Sequence, residues 1–253
     1  MKKILYLISI TFLLLQSCSS SDSNSSNNLL LSGKLKRFHN VQSNGTNAWN
    51  NYFYDNNGRL IKITTTNESQ SMIAQSITFV RDNNGKIINQ SNVDYAGGVQ
   101  INTDYTLDNN GFYLSSIKSY IGASNSPISA TYIYSNNKIS QTNFSDAKKE
   151  KYTYDVNGNL IKVEKSSGNG SWLTDQNITY DNKINFCQLD DIIIFNSGSN
   201  NLVSENTVNR PFNYSSVRQY NYNQDNKPLT GTFTESSSSQ GQVINGTFEF
   251  FYY

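Results

Sequence analysis

Few side chains of this sequence could support catalysis. The chain of 253 residues contains one histidine, His39, and two cysteines, Cys18 and Cys187. Cys187 with His39 could form a nucleophile and base, but a thiol in an apolar stretch is usually an inert packing group. Asp190 and Asp191 could be paired carboxylates for glycoside hydrolysis, yet adjacent residues of a strand point to opposite faces and flank a bond poorly. We therefore predict a non-catalytic protein, with a polysaccharide hydrolase as the less favoured alternative.

Oxygen-rich segments such as Asp55-Asn56-Asn57-Gly58 suggest calcium ligands at first sight. An EF-hand loop, however, needs ligands at alternating positions and a bidentate acid at position twelve, and the spacing here differs. Asn, Asp and Gly are also the residues that tight turns require. One histidine and two cysteines, of which Cys18 belongs to the N-terminal segment discussed below, do not make a set of soft metal ligands either. The sequence predicts no metal and no cofactor.

Binding is the remaining chemistry, and the aromatic residues are its best candidates. Trp49, Trp172 and the 17 tyrosines could stack on a sugar or an apolar ligand, although aromatic residues of hairpins more often form the core. Nucleic acid is excluded as a partner because 20 Lys and Arg oppose 19 Asp and Glu, without a basic cluster. A glycan, a lipid or a protein remain as ligands, with no binding residue assigned.

The first residues are typical of a targeting segment. Lys2 and Lys3 precede an apolar stretch from Ile4 to Leu15, which is shorter than the roughly 20 residues of a membrane-spanning helix and fits a secretory signal peptide. The next residues, Leu15-Gln16-Ser17-Cys18, resemble the lipobox of bacterial lipoproteins. That resemblance implies removal of residues 1–17 and acylation of Cys18, whose acyl chains would hold the protein to a membrane. An ordinary secretory signal with a chance cysteine is the alternative.

Residues 18–33 follow as a predicted tether. The run from Ser19 to Asn28 has no apolar residue, so it cannot bury surface and should be flexible. The lipoprotein resemblance places the mature protein in the bacterial cell envelope. We expect it at the outer membrane, on the periplasmic face or on the cell surface, with the membrane as its partner through the lipid.

A short motif recurs in the rest of the chain and predicts its strands and turns. Each copy has two aromatic or apolar residues separated by one position, then Asp or a polar substitute, two polar residues, often Gly, and an apolar pair. The Asp position falls at residues 55, 82, 108, 135, 155, 181 and 223, giving spacings of 27, 26, 27, 20, 26 and 42. Four nearly equal intervals indicate a structural repeat.

Each copy is typical of a β-hairpin. Asn-Gly accepts the positive φ values of a type I′ turn, as at Asn57-Gly58. This turn would place Tyr54 opposite Ile61 and Tyr52 opposite Ile63 on one apolar face. The fifth copy predicts the same pairs, Tyr154 with Ile161 and Tyr152 with Val163. The other face is mostly polar and carries Phe53 with Lys62 and Thr153 with Lys162.

One segment departs from the repeat. Phe186 to Leu202 contains Cys187 and the apolar run Ile192-Ile193-Ile194-Phe195, and it coincides with the longest spacing. The run is compatible with a buried strand or a short buried helix, and with a plug that covers the apolar face of the sheet. The last residues, from Phe248 to Tyr253, predict a final strand.

These motifs carry a resemblance to known families. The hairpins Tyr54 to Leu60 and Tyr154 to Leu160 look like the YD repeats of Rhs proteins. The whole layout resembles a family of Bacteroidetes lipoproteins with a domain of unknown function and a porin-like fold. The late stretch that carries this likeness comprises Tyr180-Asp181-Asn182-Lys183-Ile184-Asn185, Asn200-Asn201, and Tyr220-Asn221-Tyr222-Asn223 with Pro228. The likeness covers about residues 34–253 and implies no catalytic residues.

Together these observations predict an all-β protein with one domain at residues 34–253. We expect an antiparallel meander of about seven repeated β-hairpins that forms a curled sheet or a barrel-like half-shell. The favoured function is a non-catalytic, lipid-anchored binding or structural module of the cell envelope; the alternative is a carrier of a lipid or other apolar ligand in a half-open β-barrel. A transmembrane barrel is less favoured, because segments such as Gln90 to Asp94 supply no apolar band for a lipid-facing surface.

Overall fold

The computed structural model describes residues 31–122, 124–167, 170–184, 200–208, 213–238 and 241–253. The predicted signal peptide (1–17), the attachment site Cys18 and the tether up to residue 30 lie outside the described residues. Cys187, Asp190, Asp191 and the rest of the 186–202 segment up to residue 199 also lie outside them. The predictions on these residues stay predictions.

The described residues form β-strands joined by turns and short connections. The sixteen strands are β1 (Leu35–Gln42), β2 (Asn47–Tyr54), β3 (Leu60–Asn67), β4 (Ile73–Arg81), β5 (Ile87–Asp94), β6 (Val99–Leu107), β7 (Tyr113–Ile121), β8 (Ile128–Ser135), β9 (Lys138–Phe144), β10 (Lys149–Tyr154), β11 (Leu160–Ser166), β12 (Leu173–Ile184), β13 (Asn200–Thr207), β14 (Tyr214–Tyr222), β15 (Pro228–Ser237) and β16 (Gln242–Tyr252). Each strand is antiparallel to its neighbours in sequence.

The sheet closes on itself. β1 pairs with β16, with Phe38 opposite Phe250 and Asn40 opposite Phe248, so all sixteen strands form one closed barrel. The predicted antiparallel meander is confirmed; six of the repeat copies lie at the connections β2–β3, β4–β5, β6–β7, β8–β9, β10–β11 and β14–β15, and the sixth copy, at Asp181, lies near the end of β12. The predicted half-shell is wrong. The seven hairpins account for fourteen strands, and the two flanking strands, β1 and β16, complete the barrel by pairing with each other.

The repeated Asp forms the turn of the hairpin. At the first copy, Oδ1 of Asp55 accepts hydrogen bonds from the backbone N–H groups of Asn57 (2.9 Å) and Arg59 (2.8 Å). Gly58 N–H donates to the Asp55 carbonyl at 2.9 Å, and Gly58 has a φ of +70°. Asn57 does not share the positive φ. The turn is therefore a three-residue loop with a left-handed Gly at its end, and the predicted type I′ turn at Asn57-Gly58 is wrong.

The loop shifts the pairing beyond the turn. Tyr52 lies opposite Ile63 as predicted, but Tyr54 lies opposite Leu60, and a bulge leaves Ile61 without a partner in the register. Leu60 is 3% exposed whereas Ile61 is 37% exposed. The predicted burial of Ile61 is therefore wrong, because a left-handed Gly followed by a bulge moves the inward position back by one residue.

The fifth copy differs from the predicted pairing in the same way. Tyr152 lies opposite Val163 and Thr153 opposite Lys162, as predicted, while Tyr154 lies opposite Leu160 instead of Ile161. Leu160 is buried and Ile161 is half-buried. A true two-residue turn occurs only at the fourth of the described copies, where Asn136 and Asn137 both have positive φ values, of 52° and 60°. That copy lacks the Gly.

The apolar residues lie inside the barrel. Buried and exposed side chains alternate along β15, where Gly231 and Phe233 are buried and Thr232 is exposed. The buried residues form two clusters: Leu35, Tyr52, Leu60, Phe79, Ile87, Phe233, Phe248 and Phe250 in the first, and Ile139, Tyr152, Leu160, Val163 and Ile178 in the second. The space enclosed by the barrel, here called the lumen, is thus lined by apolar and aromatic side chains.

Candidate ligand-binding cavity

A cavity of about 830 Å³ occupies the part of the lumen enclosed by β5 to β12. This volume lies in the usual range of small-molecule sites, roughly 300–1,000 Å³. Its wall includes aromatic and aliphatic side chains (Tyr105, Tyr132, Tyr152, Phe144, Ile128, Ala130 and Leu173). Around them lie Ser and Thr residues and seven charged residues. A second, smaller cavity of about 210 Å³ lies in the other half of the lumen, beside Phe233, Phe248 and Phe250.

Three tyrosines line the cavity: Tyr105 packs against the first core cluster, whereas Tyr132 packs against the second and Tyr152 belongs to it. Ser116 Oγ and the Tyr132 hydroxyl are 2.6 Å apart, and the Tyr152 hydroxyl donates to Thr142 Oγ1 (3.1 Å) and to Glu150 Oε2 (2.7 Å). These hydrogen bonds fix the orientation of the rings, so that their apolar faces form a preorganised floor. Tyr152 belongs both to this floor and to the second cluster.

Burial raises the pKa of Tyr105, Tyr132 and Tyr152 above the ordinary value of 10.0. The nearby Glu150 carboxylate raises the pKa of Tyr152 further. The three hydroxyls therefore remain protonated throughout the physiological pH range, and the floor carries no charge. An uncharged floor of rings favours an apolar ligand surface.

Short turns crowd one end of the barrel, here called the turn end, which carries the connections β2–β3, β4–β5 and the other repeat turns. In the first and fifth copies the tyrosine just before the turn bridges to the preceding strand pair: the Tyr54 hydroxyl donates to Leu35 O of β1 (2.8 Å) and the Tyr154 hydroxyl to Ile139 O of β9 (2.9 Å). Tyr220 and Tyr252 make equivalent bonds at 2.8 Å. Because these rings point inward, they narrow the lumen at this end.

The cavity opens towards the opposite end, here called the loop end. Its wall there is formed by the β9–β10 connection, with Asp146 and Lys148, and by Ser167 and Ser171 of the β11–β12 connection. Ion pairs surround this opening. Lys148 pairs with Asp146 at 2.5 Å, and Lys165 pairs with Glu150 at 3.3 Å.

Asp175 also pairs with Lys165, at 3.2 Å. Each of the three lining carboxylates therefore has a lysine partner. The lining contains four lysines, and the remaining two, Lys118 and Lys149, form no ion pair with any residue that the structure describes. Both are exposed. The opening thus carries an excess of positive charge above an uncharged floor.

The aromatic residues singled out from the sequence lie elsewhere. Trp49 points to the outside of β2, where the His39 ring stacks on it with centroids 4.0 Å apart and the Arg37 guanidinium lies 5.1 Å from its centroid. His39 Nε2 is 2.7 Å from Asn47 Oδ1. Trp172 is covered by Lys151, whose Nζ is 4.0 Å from the ring centroid. Neither Trp lines the cavity, so the predicted aromatic groove consists of tyrosines instead.

The outside of the barrel is rich in polar side chains. On β14 to β16 the exposed positions include Gln219, Asn221, Thr230, Thr232, Thr234, Thr247 and Glu249, together with the apolar Val217, Leu229 and Val243. A barrel that spans a membrane instead shows an apolar band about 25 Å tall on this face. Within the described residues, no helix has the length and apolarity needed to cross a bilayer. Nor does that part of the chain bring three or more His, Cys, Asp or Glu together in a group that could hold a metal ion.

The oxygen-rich loops have a structural use. Asp155 repeats the contacts of Asp55, with its Oδ1 accepting from the N–H groups of Asn157 (2.9 Å) and Asn159 (2.8 Å). In the seventh copy an amide oxygen, Asn223 Oδ1, accepts from Asp225 and Lys227 at 2.9 Å each. A carboxylate is thus replaceable by an amide at this position, which is expected of a turn residue rather than a calcium ligand.

The geometry defines the chain as a closed antiparallel β-barrel with an apolar lumen. A crystal structure of a porin-like protein from Bacteroides uniformis is similar to it, with a TM-score of 0.55 and 10% identity over 88% of this chain and 98% of that one. A porin-like protein from Bacteroides vulgatus aligns with a TM-score of 0.41 and 13% identity over 87% and 98% of the two chains. No protein-family model and no curated protein matches the chain.

At 10% identity, the first likeness concerns the fold alone. The porin-like fold expected from the family resemblance is therefore confirmed. The lipoprotein and YD-repeat features of that resemblance stay predictions.

Proposed function

We propose that this protein is a non-catalytic, lipid-anchored protein of the bacterial cell envelope that binds an apolar or amphipathic ligand in the lumen of its barrel. The observation that carries this proposal is the cavity of about 830 Å³ with its floor of Tyr105, Tyr132 and Tyr152. A purely structural module does not need a hollow core, since filling such a volume with side chains would stabilise the fold.

The polar outer face supports the same proposal. The outside carries mainly Ser, Thr, Asn and Lys with some Val, Leu and Ile side chains among them, and the buried aromatic rings lie on the inside. This is the arrangement of water-soluble barrels that hold a small ligand, and the reverse of a membrane-spanning pore. The membrane contact is therefore assigned to the predicted acyl chains on Cys18 rather than to the strands.

The topology relates the proposed anchor to the cavity. β1 begins at the turn end, where the Leu35 carbonyl accepts its bond from Tyr54. The predicted tether, residues 18–33, would join the barrel there and, as a flexible chain, would reach about 20–25 Å on average. The cavity opens at the other end of the barrel, so an anchored molecule presents its opening away from the lipid surface.

Binding of a neutral apolar dye tests the proposal. Ile128 lines the cavity and is half-buried, whereas its neighbour Ser129 is exposed on the outside. We expect Nile red to bind the unaltered protein with increased fluorescence. Ile128→Trp should fill the cavity and abolish the increase, whereas the matched control Ser129→Trp should leave it unchanged.

Two outcomes contradict the proposal. If Nile red fails to bind, or if both Trp variants bind it equally, the lumen is not the ligand site. Circular dichroism and thermal melts of both variants establish that a loss of binding is not a loss of folding.

The anchor requires a separate test. A Cys18→Ser variant should leave the membrane fraction and lose the mass of its acyl groups. If this variant still needs detergent to leave the membrane, the protein is not held there by a lipid on Cys18.

A further inference from the structure

We propose that the ligand of the cavity is an anionic amphiphile, whose acidic head group binds at Lys118 and Lys149 while its apolar body lies against the tyrosine floor. This inference rests on the proposed function, because it names the ligand class for the same cavity. The sign of the charge at the opening and its position above the floor carry it.

The charged residues of the cavity lining favour an anionic head group. Among the seven charged residues of the lining, the three acids are all occupied by lysines, with Lys165 bridging Glu150 and Asp175. A cationic head group would have to displace a lysine from a carboxylate. An anionic head group finds two lysines without acidic partners in the described lining, so it gains charge-assisted hydrogen bonds without breaking an ion pair.

Lys118 is exposed but lies in the lining of the cavity, where a head group at the opening can reach it. It lies on β7 opposite Thr103 on one side and Ile128 on the other, and both of these neighbours are uncharged and line the cavity. Ser116, two residues along the same strand, lies beside the floor and is within 2.6 Å of the Tyr132 hydroxyl. Two residues of a strand span about 7 Å, so the cation lies one layer above the rings.

The apolar body has a continuous surface to follow. Ile128, Phe144 and Leu173 line the cavity. Ile128 lies opposite Lys118 in the sheet and Leu173 lies opposite Lys165, so the apolar surface continues up to the level of the lysines. An uncharged floor beneath a cationic layer binds a molecule that has an acidic group at one end and hydrocarbon at the other. A neutral oil would leave Lys118 and Lys149 unused, and a fully polar anion would leave the rings uncovered.

Two chemical sources share this description, a carboxylate on a hydrocarbon chain and a phosphate monoester on one. The experiment measures displacement of Nile red from the full chain carrying Cys18→Ser, which has no acyl chain of its own to enter the cavity. The competitors have matched ten-carbon chains: decanoate, decyl phosphate, decan-1-ol and decyltrimethylammonium. Lys118→Gln and Lys149→Gln are compared with Lys62→Gln, which removes a lysine from the outer face of β3.

We expect decanoate or decyl phosphate to displace the dye at a concentration roughly tenfold lower than decan-1-ol, the size of one charge-assisted contact. Lys118→Gln should remove most of this advantage, Lys149→Gln should reduce it, and Lys62→Gln should preserve it. The stronger of the two anions identifies the head group as carboxylate or phosphate.

The inference is overturned if decan-1-ol or decyltrimethylammonium displaces the dye as well as the anions do, or if Lys118→Gln leaves the anion preference intact. In these cases Nile red still binds and the proposed function stands. Failure of the dye itself to bind defeats the proposed function, and the ligand class with it.

Discussion

The two halves of the barrel differ in how their lumen is filled. The half formed by β13–β16 and β1–β4, here called the packed half, holds a cluster of phenylalanines. Phe248 lies 5.8 Å from Phe38, 5.4 Å from Phe250 and 6.2 Å from Phe233, measured between ring centroids. The half formed by β5–β12, here called the hollow half, encloses the cavity of about 830 Å³.

Glycines explain the packed half. Gly231 lies opposite Phe248, and Gly246 lies opposite Phe233. A Cβ at Gly231 would be 2.2 Å from the Phe248 ring, and one at Gly246 would be 2.3 Å from the Phe233 ring. The missing side chains let each ring lie flat on the neighbouring strand, which brings the rings together inside the lumen.

The hollow half contains two small inward residues on neighbouring strands, β7 and β8. Ser116 lies opposite Ala130, and both are buried although neither carries a ring. The hairpin framework is the same in the two halves, with the same capped turns at Asp55 and Asp155. The repeat therefore determines the barrel, while the identity of a few inward residues determines whether its interior is filled by side chains or encloses a cavity.

The largest expected effect tests this difference directly. Phe248→Ala in the packed half should reduce the free energy of unfolding by about 3–5 kcal/mol, because it removes a ring that is 4% exposed and contacts three other phenylalanines. Phe144→Ala in the wall of the hollow half should cost only about 1–2 kcal/mol, because the half-buried Phe144 already borders a void. Urea melts of the two variants measure both values, and equal losses would break the comparison.

The buried leucine that follows the turn should contribute equally to stability in both halves. Leu60 is 3% exposed and Leu160 is 5% exposed, and each follows a capped turn. Leu60→Ala and Leu160→Ala should each cost about 2–4 kcal/mol. Ile61→Ala should cost less than about 1 kcal/mol, and Lys62→Ala less than about 0.5 kcal/mol. Thermal melts of these variants test the bulge. A larger loss of stability at Ile61 than at Leu60 would support the pairing of Tyr54 with Ile61 that the sequence predicts.

A smaller effect is expected at the turn glycines. Gly58 has a φ of +70° and Gly158 one of +84°, values that a β-branched residue tolerates poorly. Gly58→Val and Gly158→Val should each reduce stability by about 1–3 kcal/mol. Chemical denaturation provides the test. Because the two turns have the same geometry, a difference of more than a factor of two between them would show that the hairpins of the two halves are not equivalent.

The smallest effect concerns acid sensitivity. Partial burial alone would raise the pKa of Asp55, but hydrogen bonds from the backbone and side chain of Arg59 and from Asn57 outweigh it and hold the pKa below 3.8. Because the folded-state pKa lies below the unfolded-state value, this contribution is present above the unfolded-state pKa and is lost as the pH falls through the folded-state pKa.

Asp55→Asn should therefore cost less than about 1 kcal/mol at neutral pH, since Asn223 fills the same role in the seventh copy. Its melting temperature should fall less than that of the unaltered protein between about pH 5 and pH 2. Asp155→Asn in the hollow half should do the same. An unchanged acid profile in both variants would mean that these carboxylates do not contribute to the pH dependence of stability.

The sequence predicted the hairpins because their signal is local. Aromatic pairs at alternate positions and a Gly after two polar residues suffice to place Tyr52 opposite Ile63 and Tyr152 opposite Val163. The turn type was not predicted correctly because Asn-Gly fits two kinds of turn. The discriminating signal was the Asp two positions earlier, whose carboxylate accepts two backbone N–H groups and so selects the longer loop.

Closure and cavity depend on information that a repeat does not contain. Each copy specifies its own pairing, but nothing in a hairpin indicates whether the last strand meets the first. The cavity residue Tyr105 resembles its counterparts in other copies, and it borders a cavity together with the small side chains of Ser116 and Ala130 on the next two strands. A comparison of side-chain volumes at the inward-facing positions of each copy is the sequence signal that could have located the cavity. Ser116 and Ala130 are two such positions at which the side chain is small.

The seam between β1 and β16 has a consequence for how the protein folds. These strands come from opposite ends of the described chain, and Phe38 meets Phe250 only when both are present. Contacts between residues so distant in sequence form slowly. The chain between them must lose conformational entropy before the contact can stabilise the fold. Until then the first seven hairpins present an open edge and an uncovered aromatic face, so the emerging chain is most prone to aggregate just before its last strand arrives.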